Sequence, residues 1–145
     1  MAITVTCRTA RSFAGRPEAI GQARAWTLAL LPEACPRADD VALVVSELAT
    51  NAILHTASGA PHGRYALVVE VGVDNVEITV ADQGKALVPV PRGDGEFGRG
   101  LELVRELAED YDAVDTESGR TVWCRLDWPA PGQQHPPPSR ADQRS

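Results

Sequence analysis

Residues Ser46 to Thr56 read SELATNAILHT, and the fold turns on how this stretch is placed. Together with the residues before it, Val41, Val44, Val45, Leu48, Ala49 and Ile53 recur at helical spacing, which predicts a helix from Ala38 to Thr56. At about 100° per residue, Val41, Val44, Val45, Leu48 and Ala52 share one side of that helix. Asn51 then falls roughly 60° and Glu47 roughly 100° from the centre of the apolar side, with His55 continuing the same edge. Two alanines would make a better helix than Glu47 and Asn51, so the polar edge asks for a reason.

Outward from this helix, ITVTCRT (Ile3 to Thr9) alternates and reads as a strand. PEAIGQARAWTLALL (Pro17 to Leu31) reads as a helix with proline in a tolerated first-turn position, and Pro32 and Pro36 separate it from the next. SGAPHG, Ser58 to Gly63, is a loop by composition. Tyr65 to Val73 and Val76 to Ala81 read as strands joined by a tight turn at Asp74-Asn75. Gly84 to Gly100, with Pro89, Pro91, Gly93 and Gly95, has no periodicity and reads as a long flexible loop. Leu101 to Glu109 is expected to be a third helix. Tyr111 to Glu117 and Thr121 to Trp128 are expected to form a closing hairpin around Ser118-Gly119.

From Pro129 onward, PAPGQQHPPPSRADQRS is proline-rich and polar and cannot bury a core. Residues 1–128 are therefore expected to form one domain and 129–145 a disordered tail. The order β-α-α-β-β-α-β-β points to a two-layer α/β sandwich with a mixed sheet.

Composition narrows the functional classes. A chain of 145 residues suits a single domain with its own core. Its formal net charge of −6 argues against nonspecific binding to nucleic acid or an anionic membrane, which needs a basic footprint. Cys7, Cys35 and Cys124 are odd in number and lack CxxC spacing. Neither a disulfide framework nor a zinc site is expected from them, and a reducing cytoplasm suits them. No apolar run approaches the ~20 residues of a membrane helix.

Three short stretches carry chemistry. Glu47 and Asn51, on a helix boundary, can hold a hydrated magnesium ion, which prefers oxygen ligands and is usually shared with substrate phosphates. The carboxylate can also orient or deprotonate a nucleophile. Equally, the pair suits a solvated helix charge and an amide capping a nearby loop. VADQG (Val80 to Gly84) ends an apolar strand with an acidic acceptor suited to an exocyclic amine such as that of adenine, and Gly84 permits close approach to a flat base. It also suits a plain strand-ending turn. Gly98-Arg99-Gly100-Leu101 directly precedes a helix, where backbone N–H groups and the dipole favour phosphate and Arg99 adds a permanent cation. A glycine-rich linker before an ordinary helix fits that piece as well. Neither a GxGxxG fingerprint after a strand nor a GxxxxGK[ST] loop is present.

In their order these stretches resemble the GHKL ATP-binding superfamily of gyrase-type ATPases, some chaperones and histidine kinases. ELATNAILH (Glu47 to His55) is similar to its N box, VADQG to its first glycine box, GRGLELV (Gly98 to Val104) to its second and GRTVWCRL (Gly119 to Leu126) to its last strand. The resemblance runs from Ile3 to Trp128. Without preceding phosphoacceptor helices, the chain most resembles anti-sigma serine/threonine kinases of the RsbW and SpoIIAB type.

The resemblance implies that Asn51 coordinates Mg²⁺ bridging the ATP phosphates and that Glu47 is the general base. It implies that Asp82 binds the adenine amine, that Gly84 shapes the base pocket, and that Lys85 to Phe97 form a lid. Gly98, Arg99, Gly100 and Leu101 would line the phosphate end, and Thr121 would approach the nucleotide from the last strand. Ala86 stands where the family often has a second glycine. Lys85 is read as solvent-exposed, His55 as a packed helix-end residue, and Trp26, Trp123 and Trp128 as core or interface residues. The implied partners are a sigma factor and a STAS-type antagonist protein, with the chain itself a homodimer. Two other readings stay open: an ATP-dependent interaction switch with little transfer, and a detached histidine-kinase catalytic domain acting in trans.

Overall fold

The structure, a computed structural model, describes residues 5–55, 63–82, 96–116 and 119–130. Its elements run β1 (Val5–Ala14), a 3-10 turn (Pro17–Ala19), α1 (Ile20–Leu30), α2 (Ala38–His55), β2 (Arg64–Gly72), β3 (Asn75–Ala81), α3 (Glu96–Leu107), β4 (Asp110–Thr116) and β5 (Gly119–Asp127). The strands form one sheet in the order β1-β2-β3-β5-β4. The helices cover one of its faces, with α2 packed between α1 and α3 and over β2 and β3.

The two layers are those expected, but the sheet is antiparallel at every described pairing instead of mixed. The crossover through α3 sets β4 one place away from β3, and the β4–β5 hairpin then fills the gap with β5, antiparallel to both neighbours. At the other edge two helices, not one, join β1 to β2. The chain therefore re-enters beside the end of β1, with Ala14 opposite Arg64.

The alternation legible in the strands decides which face is buried. Tyr65, Leu67, Val69 and Val71 on β2, Val76, Ile78 and Val80 on β3, and Val122, Cys124 and Leu126 on β5 all face the helices. They meet Val41, Val44, Val45, Leu48, Ala49 and Ala52 of α2, and each Val, Leu or Ile contributes about 1.5–3 kcal/mol through burial. Trp128 is buried at the sheet's end and Trp26 packs against the core, its ring meeting Phe13 edge-on at 5.6 Å. Trp123 points to the open face and donates its indole N–H to Glu77 at 3.0 Å.

Two boundaries differ by more than three residues from those expected. β1 runs on to Ala14 because TARSFA, although poor in β-branched residues, pairs with β2 along its whole length. α3 begins at Glu96, well before Leu101, so Gly98 and Gly100 lie inside it. Burial of Val104 and packing of Leu101 against the core outweigh the roughly 1 kcal/mol that each glycine costs a helix.

Arg37, just ahead of α2, ties one pole of the molecule together. Its guanidinium donates to Asp40 Oδ2 (2.7 Å), Glu109 Oε1 (2.9 Å), the Asp127 carbonyl (3.0 Å) and the Leu107 carbonyl. The start of α2, the end of α3 and the end of β5 therefore share this pole with the β2–β3 turn, where the Trp128 N–H meets the Asp74 carbonyl at 2.9 Å. The far end of α2, the first turn of α3, the end of β3 and the start of β5 lie at the opposite pole.

Between α1 and α2, Ala34 has φ of 59°. A left-handed alanine costs roughly 1–2 kcal/mol, part of which glycine returns as unfolded-chain entropy. Ala34→Gly is therefore expected to stabilise the fold by about 0.5–1 kcal/mol, read as a higher midpoint in urea at unchanged slope.

Candidate functional site

Glu47 and Asn51 stand one turn apart in the second half of α2, toward the pole away from Arg37. Asn51 is one of two buried polar residues described, at 9 % exposure, and Glu47 is half-buried at the edge of the same face. Among the described residues no hydrogen bond or ion pair engages either side chain. Their neighbours are spent differently: Ser46 Oγ donates to the Ala42 carbonyl (2.9 Å) and Thr50 Oγ1 to the Ser46 carbonyl (2.7 Å). The helix thus holds an amide and a carboxylate at a boundary without using them for the fold.

Asp82 follows β3 at the same pole. Its N–H donates to the Arg120 carbonyl (2.9 Å), and its Oδ1 accepts the Arg120 N–H (2.9 Å), so the β3–β5 ladder pins the carboxylate in place. Thr121 stands elsewhere than the resemblance implies. It pairs with Ala81 on the open face of the sheet and is exposed. The inward residue beside Asp82 is Arg120, in phase with Val122, Cys124 and Leu126. Arg120 Nε lies 3.1 Å from Asp115 Oδ1 on β4.

On the other side, Ala66 pairs with Ala81, so the next position of that register sets Tyr65 opposite Asp82. The Tyr65 ring stacks on Phe13 at 6.0 Å. Burial pushes its hydroxyl up to about 12, so it stays protonated. Tyr65 and Arg120 are the two site neighbours that motif reading missed. The apolar alternation of each strand was the signal that could have found them.

α3 brings its first turn to this pole. The first four N–H groups of a helix lack an intrahelical acceptor. With α3 starting at Glu96, that of Gly98 is among them, whereas Arg99, Gly100 and Leu101 lie deeper in the helix. Leu101 is half-buried against the core. Gly84, Lys85, Ala86 and the lid up to residue 95 lie outside the described residues, as do the side chains of His55 and Arg99, the 56–62 loop, and residues 131–145 of the tail.

At one pole, then, the fold gathers a helical amide and carboxylate, an anchored aspartate and a helix N-terminus. The sequence matches the histidine kinase-like ATPase domain over residues 13–126. The chain belongs to this family. No curated protein matches it. A histidine kinase-like ATPase domain binds ATP, and this pole carries the anchored Asp82 carboxylate and the first-turn N–H groups of α3. Among the described residues no cluster of three His, Cys, Asp or Glu side chains forms a metal cage. One amide and one carboxylate suit magnesium held jointly with phosphates. No described helix is long and apolar enough to cross a membrane.

Proposed function

We propose that this ATPase-family domain is a cytoplasmic anti-sigma serine/threonine kinase, moving the ATP γ-phosphate to a hydroxyl of an antagonist protein and so controlling capture of a sigma factor. One observation carries the reading: Glu47 and Asn51 sit one turn apart at the ATP pole, half-buried and buried respectively, without protein partners among the described residues. In this reading Asn51 holds Mg²⁺ and Glu47 takes the proton of the attacking hydroxyl. Phosphoryl transfer depends mainly on positioning and charge neutralisation, and bound magnesium supplies the second. The N–H groups opening α3 steady the phosphates, and Asp82 orients the base. A sigma factor, a STAS-type antagonist and a second copy of the chain are the partners this reading assigns.

The test incubates the protein with Mg-ATP labelled at the γ-phosphate and candidate antagonist proteins. Acid-stable phosphoserine or phosphothreonine on an antagonist is expected. Glu47→Gln should cut transfer by about 10²–10⁴-fold while leaving ATP affinity within about fivefold, the margin of one neutral hydrogen bond. Acid-labile phosphohistidine would reassign the chain as a histidine kinase acting in trans. Tight ATP binding with no transfer to any antagonist would leave an ATP-dependent interaction switch.

A further inference from the structure

At the ATP pole one row of residues crosses the sheet on its helix-facing side: Phe13, Tyr65, Asp82, Arg120 and Asp115, on or just beyond β1, β2, β3, β5 and β4 in turn. Among the described residues, two buried side-chain atoms have no hydrogen-bond partner, Tyr65 Oη and Arg120 Nε. The residues that carry them are the cross-strand neighbours of Asp82 on either side. The Arg120 Nε–H is misaligned for Asp115 despite the 3.1 Å ion pair. By contrast the buried Thr27 hydroxyl donates to the Ala23 carbonyl at 2.9 Å.

A buried donor left unsatisfied keeps its desolvation penalty with no hydrogen bond to offset it. Two such donors, carried on the strands either side of one anchored carboxylate, can be satisfied by the acceptors of a ligand. Neither group can easily turn away: the Tyr65 ring is held against Phe13, itself packed on Trp26, and Arg120 is tethered to Asp115.

Across the sheet the row reads donor, acceptor, donor. Adenine offers the complementary edge, with its exocyclic amine between the ring acceptors N1 and N7. Guanine puts a carbonyl oxygen where the amine would be, and that oxygen would face the Asp82 carboxylate. Resting on the assignment of this pole to ATP, we propose that Tyr65 Oη–H and Arg120 Nε–H donate to the ring nitrogens on either side of the amine that Asp82 accepts. The row then selects adenine over guanine nucleotides, and the two flanking residues set much of the affinity for the base.

The experiment is calorimetric titration of the full chain with ADP and with GDP, which separates base recognition from turnover, together with thermal melts without ligand. The variants are Tyr65→Phe, Arg120→Met and Arg120→Gln. Tyr65→Phe is expected to weaken ADP about fivefold and Arg120→Met about tenfold, the scale of one hydrogen bond to a neutral and from a charged group. GDP affinity should hardly move, so the ADP-to-GDP ratio narrows by the same factors. Arg120→Gln, which keeps an N–H donor, should recover part of the loss.

Without ligand, Tyr65→Phe should melt at or above the wild-type temperature, because it removes an unpaired hydroxyl. Unchanged ADP affinity and ratio in both Tyr65→Phe and Arg120→Met would overturn the row while leaving the nucleotide site standing. A Tyr65→Phe protein that melts several degrees lower with ADP affinity intact would assign the hydroxyl to the fold and overturn it too. Wild-type protein that binds no ADP would remove the nucleotide site and the row together.

Discussion

Asn51→Ala is expected to weaken Mg-dependent ATP binding by about a hundredfold or more. Losing a group that merely supports a metal ligand costs about 10–100-fold in metal affinity, and a direct ligand sits at or beyond the upper end. The same change should leave the fold intact or slightly firmer. Asn51 makes no hydrogen bond among the described residues, and alanine is the better helix former by up to about 0.7 kcal/mol. Calorimetry with and without Mg²⁺, beside a thermal melt, checks both halves. An unchanged affinity with a lowered melting temperature would make Asn51 a packing residue and remove it from the metal.

Arg37→Ala should cost about 2–4 kcal/mol of stability, close to the range for breaking one partner out of a buried charged network. The Arg37 side chain is 19 % exposed and its bonds span α2, α3 and β5. Removing it strands the Leu107 and Asp127 carbonyls and leaves Glu109 without its cation. Lysine should rescue little, since a single ammonium cannot reproduce a planar fork that serves four acceptors. The network also sets an acid limit. Burial pushes the Glu109 carboxyl up, but the Asp127 N–H and Arg37 outweigh it and hold it below its ordinary value. A depressed carboxylate contributes stability above its unfolded pKa and loses it as pH falls through the folded one. Urea midpoints followed from neutral pH down to about 3 should therefore fall more steeply in wild type than in Arg37→Ala.

Much of this was legible in the sequence, and the reasons are particular. The valines and leucines of Val41 to Leu48 fixed α2 and its buried side, and the same arithmetic put Asn51 nearer the core than Glu47, as the exposures bear out. Strand direction was not legible. Nothing local in DYDAVDT or GRTVWCRL says that β5 slips between β3 and β4, and only that placement makes the sheet antiparallel. The start of α3 was hidden because Gly98 and Gly100 read as punctuation, whereas Leu101 and Val104 pack well enough to carry the helix through them. Thr121 was chosen by motif position. The period of Val122, Cys124 and Leu126 already turned it outward and Arg120 inward, so the strand's own alternation was the better guide.

The last of the described strands, β5, is an interior strand of the sheet. A ribosome releases β5 after every other described element, yet β5 closes the open side of β3 and supplies the Arg120 backbone that grips Asp82. A nascent chain stopped before Gly119 keeps most of its apolar residues but presents β3 as a bare edge, the kind that templates aggregation. Such a fragment also lacks the Arg120 N–H that anchors the Asp82 carboxylate. Among the described elements, closure of the sheet and anchoring of Asp82 both wait for β5 to drop into place beside β3.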